Sequence, residues 1–328
     1  MVMSPLADPV IGAIFANVET AGLAAASLIR VTLEADGSAL NGKVVSVTPQ
    51  RAYLDPQNRG CRIDVETLSD ANEHVITEVQ INAEPIIMQR NLFSASRIFV
   101  NTSEMGDTAY EMTAKMPRVI AINILNYNIR TDNNEVLQPF KIMYTKPPER
   151  IAIPHFCGYN VQLPRLLEME PDFSNGLYCW YYTMYTAHRE QITVEEVIAM
   201  TPSLETYANQ DIGYQQFCEQ YKRVSASEET RDEYHWWLNA QLGRAGEILG
   251  GYQEGEAKGL AKGRVEGEAK GLAKGRTEGE AKGLAKGLAK GEAKGIADVA
   301  RRMKQSGTMT TAEISKLTML SIAEIEML

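Results

Sequence analysis

Apolar residues recur at two different spacings in the first part of the chain and predict helices and strands. In LADPVIGAIFANVETAGLAAASLI they recur at helical spacing, and Asp8 followed by Pro9 suits the N-cap and first position of a helix. From residue 43 to residue 81 apolar and polar residues alternate, which predicts strands in KVVSV, CRIDVETL and HVITEVQI. The polar turn SDANE separates the last two strands, and a helix is predicted in PIIMQRNLFSASRIFV.

The segment VIAINILNYNI is almost continuously apolar and rich in β-branched residues. This pattern is typical of a central strand that is buried on both faces. The segment FKIMYT is predicted to be its neighbour in the sheet. Because strands and helices alternate along this part of the chain, the sequence predicts an α/β core.

Residues 171–248 are rich in aromatic side chains and are predicted to be helical, as in GLYCWYYTMY and EYHWWLNAQLG. Exposed aromatic rings could stack on nucleic-acid bases. Aromatic residues crowded at helical spacing more often form a core, because each ring buries a large area. We therefore interpret this region as a packed helical extension.

A glycine falls at every fourth position from Gly251 to Gly295, within a repeat built on GEAKGLAKG. Ala, Glu, Lys and Leu favour a helix, whereas each interior glycine costs about 1 kcal/mol relative to alanine. Two interpretations stay open. The segment is either a helix whose glycines let another helix approach closely, or a flexible tether.

Two capping boxes follow the repeat, Thr310 with Glu313 and Ser321 with Glu324, and each predicts a short helix. The second helix carries IAEIEML in place of the basic or amide residues that read DNA bases, so we interpret the pair as an assembly or docking module. The chain is therefore divided into a core at 1–170, a helical extension at 171–250, the repeat at 251–296 and a helical module at 297–328.

The composition of the 328-residue chain, 44% hydrophobic and 23% charged, is ordinary for a globular protein. No apolar run approaches the roughly 18 to 20 residues that span a membrane, so we expect a cytoplasmic protein without membrane contact. The four cysteines form no CxxC pair and are expected to be buried, reduced thiols. They are Cys61, Cys157, Cys179 and Cys218.

The chain is acidic outside the repeat. The formal net charge is −9, and residues 251–296 hold ten Lys/Arg against seven Asp/Glu, a net of +3, so the rest of the chain carries −12. Phosphate contacts dominate nucleic-acid affinity, and this charge therefore argues against a surface that coats DNA.

Two acidic residues face each other on the predicted hairpin. If the turn is centred on Ala71, antiparallel pairing places Asp64 opposite Glu78, with Gln80 on the same face. Like charges so placed repel unless a cation lies between them, and carboxylate and amide oxygens are ligands that Mg²⁺ prefers. Spacing alone also fits the polar face of an ordinary half-exposed hairpin, so both interpretations stay open.

The order of these segments resembles the PD-(D/E)XK nuclease family transposases, also called recombination-promoting nucleases. The resemblance covers about residues 5–170 and rests on DPVIGAIF, RIDVETL, ITEVQI and MQRNLFSASRIF. It implies a restriction-endonuclease-like fold, with a mixed central sheet flanked by helices, and a metal-dependent DNA endonuclease. The chain departs from the family pattern near Phe15, where the expected basic residue is absent.

In that family an Asp on one strand and E-x-Q or E-x-K on the next bind the metal, which maps onto Asp64, Glu78 and Gln80. The resemblance implies that Asp64 and Glu78 hold Mg²⁺, with Mn²⁺ as the alternative ion, and that Gln80 orients the attacking water. Arg90 would contact a phosphate, although a surface salt bridge explains it equally well. Glu19 would either add a ligand or lie on a solvated helix face.

Two further hypotheses stay open. The first is a catalytically inactive protein that keeps the fold and acts as an interaction or assembly module, which the acidic core and the missing basic residue favour. The second is a homo-oligomer held by the C-terminal repeat, in which two sites would cut two strands.

Overall fold

A six-stranded mixed sheet lies at the centre of the N-terminal part of the molecule. The computed structural model describes residues 2–17, 20–54, 60–83, 86–129, 134–146 and 150–328. The strands are β1 (Val44–Leu54), β2 (Gly60–Ser69), β3 (Glu73–Gln80), β4 (Arg118–Leu125), β5 (Leu137–Met143) and β6 (Ile151–Gln162). Their order in the sheet is β1-β2-β3-β4-β6-β5, with β3, β4 and β6 parallel and the outer pairs antiparallel. The mixed sheet predicted from the sequence is thus confirmed.

The hairpin of β2 and β3 has the register predicted from its turn. Val65 pairs with Thr77 and Leu68 with His74, as expected for a turn centred on residue 71. In this turn Asn72 adopts a φ of 57°, a left-handed conformation that asparagine tolerates better than most residues. The observed ladder ends one residue before Asp64, whose predicted partner Glu78 is the next position in the same register.

The central strand β4 is fully buried from Val119 to Leu125, as predicted. The prediction that FKIMYT lies beside it is wrong. Residues 140–143 of this segment lie in β5, which pairs with β6, and β6 lies between β4 and β5. Apolar patterning identifies a strand but not its partner, because the partner is selected by packing with distant parts of the chain.

Helices flank the sheet and continue to the C-terminal end. They are α1 (Asp8–Phe15), α2 (Ala21–Glu34), α3 (Ile87–Asn101), α4 (Ala109–Lys115), α5 (Gly176–Glu190), α6 (Val194–Met200), α7 (Pro202–Ala208), α8 (Ile212–Ala226), α9 (Glu228–Ser306), α10 (Thr311–Thr318) and α11 (Ile322–Glu326). A 3-10 helix, Leu163–Glu168, follows β6.

The start of the chain corrects two predictions. The single helix expected there is two helices, and the Asn17 side chain accepts a hydrogen bond from the Thr20 N–H between them, a local contact that competes with helix continuation. Asp8 is not the N-cap. The extended residue before the helix is Ala7, and Asp8 is already the first helical residue, so its side chain contributes an acidic group to the first turn.

The two faces of the sheet carry different cores. The larger core includes α1, α2, α5 and α8, and Trp180 and Tyr181 are fully buried in it, which confirms the core interpretation of GLYCWYYTMY. In EYHWWLNAQLG that interpretation holds for Tyr234, whereas Trp236 is 80% exposed. A smaller core lies under α3 on the other face and is formed by Tyr53, Ile63, Ile76, Ala95, Ile98, Val119, Ala121 and Phe156.

Residues 243–328 form a compact unit of their own. α9 passes through the whole repeat as one helix, so the helical interpretation of the repeat is the one that the structure shows. The side chains of residues 251–296 are exposed along its length. The helices α10 and α11 begin at the two predicted capping boxes and pack on α9 through Ala300, Ile314 and Ile325. The sequence-based division at residues 170, 250 and 296 stays a prediction.

Two expectations from composition concern thiols and membranes. All four cysteines are free, and Cys157 and Cys179 are buried, whereas Cys61 and Cys218 are half-buried. Among the residues that the structure describes, none of the helices combines the length and the apolar character that a membrane span requires.

Candidate functional site

Asp64 lies where β2 separates from β3. The last pair between these strands is Val65 with Thr77. Beyond it, Oδ2 of Asp64 accepts a 2.8 Å hydrogen bond from the backbone N–H of Val79. The side chain thus replaces a main-chain bond of the ladder. Asp64 as a whole is 9% exposed and is therefore buried between the strands.

The strand β2 also changes face at this residue. Val65 packs in the larger core and Ile63 in the core under α3, although residues two apart in a regular strand point to one face. Across from Asp64 on β1, Gln50 has a φ of 52°. A non-glycine residue seldom adopts this conformation, and such backbone strain is concentrated at functional sites. This irregular backbone lies beside the place where β2 separates from β3.

Glu78 on β3 is 3% exposed and faces α3. Its register partner on the parallel strand β4 is Asn123, and Ile76, two residues earlier on the same face, packs under the helix. Nη2 of Arg90, on α3, lies 3.3 Å from Oε2 of Glu78. The structure therefore brings the predicted phosphate-binding residue directly to a predicted metal ligand.

Gln80 is the last residue of β3 and lies on the same face as Glu78, two residues further along. Its backbone carbonyl accepts a 2.9 Å hydrogen bond from the N–H of Asn126, just after β4. The residue is half-buried, whereas Glu78 is buried.

A row of buried amides beside Glu78 was not predicted. Asn123 on β4 and Asn160 on β6 are register partners, and Asn91 reaches them from α3. Their exposures are 0%, 5% and 1%. The signal in the sequence is the single asparagine within the apolar run VIAINIL, because a polar side chain in a strand buried on both faces requires a buried partner.

Glu66, two residues after Asp64, is a further buried carboxylate. Its Oε1 accepts hydrogen bonds from the Tyr53 hydroxyl at 2.6 Å and from Nδ1 of His74 at 2.7 Å. Burial alone would raise the pKa of Glu66, but the hydrogen bonds from His74 and Tyr53 outweigh it and hold the pKa below its usual value. With these partners within the fold, Glu66 stabilises the β1–β2–β3 sheet.

Asp64 and Glu78 offer only a few oxygen ligands to a metal ion. Within the described ranges, no group of three His, Cys, Asp or Glu side chains is arranged to hold a metal ion. Two carboxylates and the amide of Gln80 suit a hard cation that keeps several waters, as Mg²⁺ does. Glu19, the other ligand considered, lies outside the described residues.

The mixed sheet, the opened β2–β3 hairpin and the helix that faces it define a restriction-endonuclease-like core of the PD-(D/E)XK class. A comparison with protein-family models agrees with this class. The model described as PD-(D/E)XK nuclease family transposase matches residues 43–246. This is more than half of the 328-residue chain, and the chain belongs to that family. The match confirms the family recognised from the sequence.

The matched range extends past residue 170 and includes the helices α5 to α8. Neither the curated proteins nor the solved structures gave a match to the chain.

Proposed function

We propose that the chain is a Mg²⁺-dependent endonuclease that hydrolyses phosphodiester bonds in DNA and is related to mobile-element or recombination-promoting nucleases. The observation that supports the proposal is that Asp64 and Glu78 are both buried where the β2–β3 ladder ends, with Asp64 accepting a hydrogen bond from Val79, the neighbour of Glu78. Membership of a nuclease family supports the same chemistry.

In the proposed site Asp64 and Glu78 hold the metal ion. Two buried carboxylates so close in register repel each other, and a divalent cation offsets that repulsion. Mg²⁺, or Mn²⁺ in its place, supplies an activated water and neutralises charge on the phosphate when bound. Gln80 orients the attacking water through its side-chain amide. Because glutamine is uncharged, it stabilises the transition state less than a lysine would.

Arg90 is proposed to bind the phosphate. Its side chain is 38% exposed, and its contact with Glu78 holds the guanidinium at the edge of the site. A cation bound by Glu78 would repel the guanidinium, and a DNA phosphate is the anion toward which it would turn. Arg90 would thus pair with Glu78 in the metal-free site and with a DNA phosphate once the metal is bound.

Removal of divalent metal should abolish cleavage. Purified protein with Mg²⁺ is expected to nick or cut plasmid DNA, whereas the same protein with EDTA should leave the plasmid intact. Addition of Mg²⁺ or Mn²⁺ in excess of EDTA should restore cutting. Gel analysis of plasmid forms measures this. Cutting that persists in EDTA would contradict a metal-dependent mechanism, and an intact plasmid in every condition would contradict endonuclease activity on DNA.

A second candidate is a catalytically inactive protein that uses the fold for interaction or assembly. The observation that favours it is the Arg90–Glu78 pair, which already neutralises a proposed ligand. Calorimetry distinguishes the two candidates, because an active site should bind Mn²⁺ or Mg²⁺ in a manner that depends on Glu78. The inactive protein should show no such binding.

We also propose that the repeat joins copies of the chain. The exposed α9 segment carries Leu260, Leu272, Leu284 and Leu288, and its glycines have no neighbouring atoms where a Cβ would stand. An isolated helix so rich in glycine is costly, and association with a second helix would offset this cost. Light scattering should give a multiple of 36.3 kDa for the full chain and a monomer after deletion of residues 251–328. An unchanged oligomeric state after deletion would contradict the proposal.

A cytoplasmic location stays a prediction, and fractionation of cells with an antibody to the protein would test it.

A further inference from the structure

Three buried asparagines are joined by hydrogen bonds between α3 and the sheet. Nδ2 of Asn91 donates to Oδ1 of Asn123 at 2.9 Å, and Nδ2 of Asn123 donates to Oδ1 of Asn160 at 2.7 Å. Nδ2 of Asn160 then lies 3.8 Å from the sulfur of Met88, which returns the chain to the helix. We call Asn91, Asn123 and Asn160 the amide chain.

The amide chain attaches α3 to the sheet at two points. Met88 and Asn91 are three residues apart and therefore share one face of the helix, one turn apart. Their partners stand on β4 and β6, two adjacent parallel strands. The Asn91 bond fixes the rotation of the helix about its axis, and the weaker contact from Met88, which is 38% exposed, adds a second constraint one turn away. Arg90 lies between the two attached residues in the sequence.

Apolar packing alone would hold α3 less firmly. Its buried residues are Ile87, Asn91, Ser94, Ala95 and Ile98, of which three are small or polar. Its outer face exposes Leu92, Phe93 and Val100. Apolar contacts have no preferred direction, whereas an amide hydrogen bond requires a defined distance and angle. A fully satisfied buried network therefore selects one orientation.

That orientation matters at the proposed metal site. Asn123 is the register partner of Glu78 on the neighbouring strand, and the Arg90 contact to Glu78 depends on where α3 sits. We propose that Asn91, Asn123 and Asn160 are positioning residues, which hold α3 so that Arg90 meets the Glu78 carboxylate. The inference rests on the proposed nuclease function for its effect on metal binding, but not for its effect on the helix.

The test uses Asn123→Leu, which is similar in size and removes both hydrogen bonds. Asn91→Ala is the milder variant, because alanine favours a helix and the Asn123–Asn160 bond stays intact. Thr183→Val is the matched control, since it removes a buried hydroxyl that bonds to Tyr214 in the larger core. Each is made in the full chain, alone and together with Arg90→Gln.

Hydrogen exchange read by mass spectrometry should be faster in peptides from residues 87–101 for both asparagine variants and unchanged there for Thr183→Val. Mg²⁺ affinity by calorimetry should rise about tenfold in both asparagine variants, because a guanidinium that is no longer held at Glu78 stops competing with the cation. This rise should disappear in the Arg90→Gln background. A change of equal size in both backgrounds, or unchanged exchange in α3, would overturn the positioning role.

If the wild-type protein binds no Mg²⁺, the proposed nuclease function fails and the positioning role is judged separately. Crystal structures of the wild type and of Asn91→Ala would then be compared. Loss of the Arg90–Glu78 contact in the variant, with faster exchange in α3, would support the inference. Retention of the contact would refute it.

Discussion

Replacement of Glu78 by glutamine should lower the rate of DNA cleavage by about 100-fold or more, and replacement of Asp64 by asparagine should do the same. The lower bound follows from the 10- to 100-fold losses seen when groups behind a metal ligand are removed, because loss of a ligand itself costs more. Both substitutions keep the size of the side chain and remove its charge. The measurement is the initial rate of plasmid nicking at saturating Mg²⁺.

The matched control is Glu73→Gln. Glu73 lies on the same strand as Glu78 and is equally buried, at 3% exposure. It accepts hydrogen bonds from Asn41, and its Oε1 lies 2.9 Å from Nη1 of Arg118, at the opposite end of β3. We expect Glu73→Gln to lower the free energy of unfolding while the folded protein cleaves at nearly the wild-type rate.

Comparison of the three variants separates chemistry from stability. Thermal unfolding establishes the folded fraction of each protein before rates are compared. If Glu73→Gln lost as much activity per folded molecule as Glu78→Gln, the loss would report on the strand and not on a metal ligand. If Asp64→Asn and Glu78→Gln both cleaved at the wild-type rate, the proposed site would be wrong.

The β2–β3 register could be predicted from the sequence because local chemistry determines it. A short polar turn fixes which residues pair, and a shift by one residue would expose the apolar face of each strand. Local sequence motifs likewise predicted the starts of two helices, at the capping boxes of Thr310 and Ser321. The metal-ligand roles of Asp64 and Glu78 did not follow from spacing, and they rest on the family and on the proposal above.

Contacts between residues distant in sequence could not be predicted. The position of β6 between β4 and β5 depends on which strands pack together, and the apolar pattern of each strand does not determine its partner. The amide chain joins Asn91, Asn123 and Asn160, which come from three separate elements. The Arg90–Glu78 contact depends on how α3 crosses the sheet. In each case the residue types were visible in the sequence, but their partners were not.

Among substitutions outside the proposed site, Asp211→Ala should cause one of the largest losses of stability, about 3 to 5 kcal/mol, because it removes a helix cap and leaves several buried donors without an acceptor. Oδ1 of Asp211 caps α8 through the N–H groups of Gly213 and Tyr214. Oδ2 accepts hydrogen bonds from the Ser27 hydroxyl at 2.5 Å and the Tyr207 hydroxyl at 2.8 Å.

The same oxygen lies 2.7 Å from Nη2 of Arg30. Because that guanidinium is 48% exposed, solvent screens the charge pair, and most of the loss should come from the buried donors left without an acceptor. The measurement is urea unfolding followed by tryptophan fluorescence, since Trp180 is fully buried and donates to Ser27. Asp172→Asn, in which an exposed carboxylate that bonds to Ser174 is changed, should have a much smaller effect.

The contribution of Asp211 should also depend on pH. Burial by itself raises the pKa of Asp211, but the hydrogen bonds from Ser27, Tyr207 and the Tyr214 N–H, together with the Arg30 charge, outweigh it and hold the pKa below its usual value. A group whose pKa is lower in the folded state stabilises the protein fully above its unfolded pKa, which is about 3.9 for aspartate. That stability is lost as pH falls through the folded-state pKa.

The difference in unfolding free energy between the wild type and Asp211→Asn should therefore be constant from neutral pH to about pH 5 and shrink below about pH 4. Asparagine keeps one acceptor oxygen for the cap but cannot be charged at any pH, so it isolates the ionised carboxylate. A difference that stayed constant through pH 3, or grew as pH fell, would contradict the assignment. In that case the hydrogen bonds at Asp211, and not its charge, would account for its effect on α2, α7 and α8.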